Sequence, residues 1–320
     1  MRNFLLFLAA ALAIMPVFVS GQDRMFENDI LSDTFGFGEN TSKIVALEDL
    51  HQGCPARDCI PSIDNPKFID ASDADFLQSD DIVLTIRRGD DVRAYPARIL
   101  NFHEIVNDTI NGEPIAITFC PLCGTGLAFS RKIGGVTTEF GVSGVLYNSD
   151  LVMYDRDTNT LWDQIEGRGI VGKLSGEKLH MLPTAMARWS RWKKAHPETR
   201  VLSTDTGFEE DYSKNPYEKY QDSSRIVFPV SGTDDRFGPK TVVHGVYVDG
   251  IYIAWTERLL EAQGQLTEEV NDRDLVVTYH EDGSVSVKDI ESGSSYTPIR
   301  AFWFAWYAFH PDTIIRDVRK

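Results

Sequence analysis

Beyond residue 81 the chain is patterned in short apolar runs of four to eight residues, many alternating with polar positions and each closed by a turn signal. Ile82-Val-Leu-Thr-Ile-Arg reads as a strand, Gly89-Asp-Asp as a turn and Val92-Arg-Ala-Tyr as a second strand. Pro96 suits the first turn of a helix, whose Ile99, Leu100, His103 and Val106 recur at helical spacing. A turn cluster from Asn107 to Gly112 delivers the chain to an apolar strand starting at Ile115. The same order returns later. Thr241 to Val248 and Ile251 to Trp255 read as strands around an Asp249-Gly250 turn, followed by a helix from Thr256 and a strand from Leu275. Val270-Asn-Asp272 echoes Val106-Asn-Asp108, and the spacing of Trp189, Trp192 and His196-Pro matches that of Trp303, Trp306 and His310-Pro.

This pattern predicts a strand-rich α+β fold, an internal duplication of a β-β-α-β unit with an extra β meander, about Gly134 to Leu174, in the first copy. The predicted organisation is a signal peptide at 1–21, an irregular arm at 22–74, a first repeat at 75–204, a connecting loop at 205–240 and a shortened second repeat at 241–320. Arg2 followed by the apolar stretch Phe4 to Val19 and the small residues before Gln22 carries the signal reading, so the mature protein is expected to be secreted or periplasmic, with no integral membrane segment after cleavage. A net charge of −16 argues against nucleic acid as a partner, leaving a small molecule or an envelope protein. In an oxidising compartment Cys54 and Cys59 are candidates for a small disulfide loop.

The densest chemistry lies in Cys120-Pro-Leu-Cys123-Gly124, a knuckle between two apolar strands. Pro121 fixes its own φ, and Gly124 permits the positive φ that closes such a turn, so two sulfurs converge on one point. His103, on the preceding helix, is the nearest further ligand, with Met153 and His280 as looser candidates; such sets suit copper or zinc. Three readings stay open: a metal site, possessing or lacking redox activity; a thiol–disulfide oxidoreductase; and a non-catalytic binding or scaffold protein whose knuckle pins a turn. His103, Glu104, Tyr147, Asp155 and Arg156 are the candidate catalytic residues, and Asn148, Asp150, Trp162 and Gln164 are candidates for a pocket wall. No phosphate-binding loop, dinucleotide fingerprint, nucleophile elbow or haem-attachment motif is present, so neither nucleotide nor haem is expected.

Ala94-Tyr-Pro, His103-Glu-Ile-Val-Asn-Asp108, the knuckle, Ser143-Gly-Val-Leu-Tyr-Asn-Ser-Asp150, Met153-Tyr-Asp-Arg156 and Leu161-Trp162 together resemble the domain-of-unknown-function family 3179, over roughly residues 60–320. The resemblance implies an exported or envelope protein of a prokaryote and brings no established activity. In that family the region of Cys54 and Cys59 often reads as a Gly-rich segment, so this pair looks like a feature of this chain.

Overall fold

The computed structural model describes residues 29–318. They build five sheets of four or five strands, arranged as the blades of a β-propeller, with one small two-stranded ribbon besides. The predicted signal peptide lies outside the described residues. Among those described, no helix is long and apolar enough to cross a membrane.

One blade is built on the hairpin Ile82–Arg88 and Asp91–Pro96, with Ala185–Arg188 antiparallel on one side and Arg200–Leu202 parallel on the other. A second holds Ile105–Ile110, Glu113–Cys120, Thr125–Ser130 and the short Met181–Leu182. A third runs in chain order through Phe140–Tyr147, Asp150–Asp155, Leu161–Asp163 and Gly169–Val171. The fourth, on Val242–Val248 and Ile251–Thr256, closes like the first, with a parallel strand Ile314–Arg316. The fifth contains Gln265–Val270, Arg273–Tyr279, Val285–Asp289 and Ser295–Tyr296.

This architecture corrects the expected α+β class and its duplicated β-β-α-β unit. The helix Ala97–His103 has seven residues and carries the chain out of the first blade into the second. The two strands before it and the strand after it therefore never share a sheet. Helices of one to two turns bury too little surface to form a layer of their own. Val106, assigned to the helix by its spacing, is a strand residue instead, paired with Ile117. The helix ends at Glu104, whose φ of 56° turns the chain sharply into the next strand.

The segment at 22–74 also supplies edge strands where it is described. Leu50–Gln52 joins the third blade and Phe68–Asp70 the first. Cys54 and Cys59 form a disulfide, Cα to Cα 6.4 Å, which closes a five-residue step in the loop between those edges. The segment at 205–240 holds one short helix, Glu218–Gln221, and otherwise runs irregularly past the mouth of the site described next.

Candidate functional site

The knuckle is the hairpin connection of the second blade, with Cys120 paired to Thr125 across it. Gly124 has φ +61°, and a Cβ there would stand 2.8 Å from the Phe302 ring, so both conformation and space demand glycine. The turn directs both sulfurs inward. The Cys123 amide donates to Cys120 Sγ at 3.4 Å, and Cys123 Sγ lies 3.3 Å from the carbonyl oxygen of Ser149. Both side chains are buried and both cysteines are free.

The facing wall comes from the third blade. Asn148 and Ser149, at φ 52° and 63°, form the tight turn between its first two strands. The Asn148 amide side chain accepts from the Ser231 N–H at 2.7 Å and fixes this turn to the long loop. Asp150 follows immediately. Its Oδ2 accepts the backbone N–H groups of Gln164 and Ile165, each at 3.1 Å, while the carboxylate faces the two thiols and its buried Oδ1 has no other hydrogen-bond partner. One ligand atom from each of Cys120, Cys123 and Asp150 lies within 4.8 Å of the others.

The electrostatics of this cluster are unresolved within the chain. Burial pushes the Asp150 carboxyl up to about 7, against the opposing hydrogen bonds from the Ile165 and Gln164 amides and the two thiols. Burial, with the charge of Asp150 adding to it, raises Glu104 to about 8. Both thiols are pushed up as well, chiefly by burial, and each feels the acids around it. Four acidic groups thus meet in a buried site, where burial raises each and the charge of Asp150 adds to the rise at Glu104 and at both thiols.

The site opens on an apolar cavity of about 310 Å³, whose walls include Cys120, Glu104, Leu122, Val142, Tyr217 and Phe228. Tyr220 donates from its hydroxyl to the Leu122 carbonyl at 2.9 Å, tying the long loop to the knuckle. Gly53 and Cys54 also line the cavity, so the disulfide loop is part of its wall.

Of the residues singled out from sequence, the structure brings together Cys120, Cys123 and Glu104 with Asp150. It does not bring His103 to them. That imidazole is fully buried and engaged at both nitrogens, Nδ1 at 2.8 Å from the Pro61 carbonyl and Nε2 at 2.6 Å from the Tyr212 hydroxyl. Burial also lowers its pKa and keeps it neutral. His280 is exposed, 2.7 Å from Ser286 Oγ in the fifth blade. Met153 packs in the apolar cluster beneath the knuckle, paired across the sheet with Trp162. Tyr147 meets Phe309 edge-on. Asp155 is a turn staple, accepting from Trp162 Nε1 at 3.0 Å and from the Thr158 amide and hydroxyl. Arg156 is held by Asp64 and Glu139. Gln164, a wall candidate, donates from its amide to Thr118 Oγ1 and the Thr125 carbonyl behind the knuckle.

The sequence profile described as a protein of unknown function, DUF3179, matches residues 57–313. The chain belongs to this family. Neither a curated protein nor a solved structure matches it. The match begins between Cys54 and Cys59, so in this DUF3179 member one half of the disulfide lies before the matched region and the whole acidic cluster lies within it.

Proposed function

We propose that this protein binds a single metal cation on Cys120, Cys123 and Asp150, with Glu104 beside them. One observation carries the reading: two buried thiols face a buried carboxylate oxygen that has no other partner. An unpaired buried carboxylate is costly, and a cation removes that cost while converting the thiols to thiolates. A donor set of two sulfurs and one oxygen favours zinc, which accepts both, over copper(I), which selects sulfur alone. Three protein ligands beside a cavity also match the donor count of zinc sites that act on a substrate. A bound zinc would supply Lewis acidity there, and Asp150 is already oriented by two amides.

A dithiol exchange function fits less well. Reactive Cys-x-x-Cys pairs are exposed and have depressed thiol pKa values, whereas these thiols are buried and raised. The export reading is supported by the Cys54–Cys59 disulfide, a bond of oxidising compartments.

The test is metal content by mass spectrometry on protein isolated without chelator, beside Cys120→Ser/Cys123→Ser and Asp150→Asn. About one zinc per chain, lost in the double variant and depleted in Asp150→Asn, is expected. Copper in its place would overturn the choice of ion, and no metal after growth replete in both would overturn the site.

A further inference from the structure

The cavity beside the cluster has a composition that selects its own ligand. Its walls come from three sources: the knuckle and Glu104, the third blade through Val142 and Leu151, and the long loop through Tyr217 and Phe228. Glu104 supplies the one carboxyl among the described residues lining it, and no Lys, Arg or His lines it. The Tyr220 hydroxyl is already bonded to the Leu122 carbonyl. The remaining surface is almost wholly aliphatic and aromatic. A volume of about 310 Å³ sits at the small end of ligand pockets.

We propose that this cavity binds an uncharged, largely apolar small molecule bearing a single hydroxyl, seated with the hydroxyl towards Glu104. The choice of head group follows from hydrogen-bond chemistry. A hydroxyl both donates and accepts, so it pairs with Glu104 whether or not that carboxyl holds its proton. In the metal-free chain an anionic head meets Glu104 with no basic residue on the wall to receive it. An ammonium head must leave its hydration shell for apolar walls and a single carboxyl, which seldom repays that cost. The apolar body accounts for most of the affinity and the hydroxyl for orientation. The inference uses only the cavity's walls and goes beyond the metal reading.

The experiment is calorimetric titration of the mature chain, zinc-loaded and chelator-treated, with 4-butylphenol, butylbenzene and 4-butylbenzoate. The phenol is expected to bind below millimolar in both forms, about fivefold tighter than the hydrocarbon, and in the chelator-treated form at least about 50-fold tighter than the benzoate. Val227→Trp places bulk at a half-buried lining position of the long loop. It is expected to weaken phenol binding at least about tenfold, with zinc content and melting temperature retained. Glu104→Gln is expected to narrow the gap between phenol and benzoate. No phenol binding in either form, benzoate binding as tight as phenol in the chelator-treated form, or an unchanged affinity in Val227→Trp would each overturn the proposal. Phenol binding without zinc incorporation would sink the metal reading alone, and zinc incorporation without phenol binding would sink this one alone.

Discussion

The sharpest consequence of the buried acids is a pH-dependent stability in the metal-free protein, and Glu104→Gln isolates it. Glu104 rises from an ordinary 4.5 to about 8 in the folded chain. Between those values the folded state keeps a proton that the unfolded state releases. Stability contributed by the protonated carboxyl is therefore complete below about pH 4.5 and is lost as pH rises through about 8. At 1.36 kcal/mol per pH unit the full effect is about 5 kcal/mol. Relaxation of the long loop and entry of water beside the ionised carboxylate reduce this to an expected difference of about 2 kcal/mol. Glutamine keeps the shape and cannot ionise. Urea denaturation in chelator should find wild type and Glu104→Gln nearly equal at pH 5. At pH 8.5 the variant should be the more stable, with a midpoint higher by roughly 0.7 M if m is about 3 kcal/mol/M. Saturating zinc at 100 times its Kd should stabilise both proteins by about 2.7 kcal/mol, and it should narrow the gap only as far as the cation's charge offsets that of Glu104. Parallel pH profiles for the two proteins, without metal, would refute the claim that Glu104 is buried among uncompensated acids.

Three further outcomes follow from the same geometry. Asp150→Asn removes the one anionic oxygen facing both thiols and should weaken zinc binding by about 100-fold while the circular dichroism spectrum stays native. Gly124→Ala must accommodate φ +61° and a Cβ 2.8 Å from the Phe302 ring; it should cost about 2–4 kcal/mol in thermal unfolding, against about 1 kcal/mol for Gly250→Ala, where φ is +97° but nothing lies within 4 Å. Lys240 donates to the carbonyls of Tyr220, Ser223 and Arg225 and lies over the Tyr220 ring, pinning the loop that walls the cavity. Lys240→Met should therefore raise the rate of iodoacetamide labelling of Cys120 and Cys123 several-fold, read by mass spectrometry.

What the sequence made legible was local. The Asp249-Gly250 hairpin, the knuckle with its positive-φ Gly124 and the disulfide candidates depend on residues close in the chain and stand where they were read, whereas the turn cluster read over Asn107 to Gly112 shrinks to Asn111-Gly112 because Asn107 to Ile110 continue the strand Ile105–Ile110. The recurring order of elements was read as two β-β-α-β units. The structure shows instead that a seven-residue helix passes the chain between sheets, so each stretch contributes to two blades. Periodicity cannot tell a helix that packs on its own strands from one that leads away from them. His103 failed as a ligand for a similar reason: its helical face was legible, but its partners Pro61 and Tyr212 are 42 and 109 positions away. Asp150 was visible only as a wall candidate, because nothing local marks a carboxylate that a different blade will carry to the knuckle.

The two cysteine pairs show why the site asks for an ion. Cys54 is oxidised and lines the cavity; Cys120 is free and lines the same cavity. Thiol–disulfide exchange needs a thiolate with access to a disulfide sulfur. Burial and the neighbouring acids raise both knuckle thiols, which keeps them protonated and slows that reaction. The same burial makes the cluster unfavourable whenever Asp150 or Glu104 ionises. A divalent cation meets both demands at once: it takes up the sulfurs, which are then unavailable for exchange, and it gives the orphaned Asp150 oxygen a partner. Under the proposed metal reading, zinc-loaded protein is expected to resist iodoacetamide labelling at Cys120 and Cys123, and chelation to raise that labelling, read by mass spectrometry.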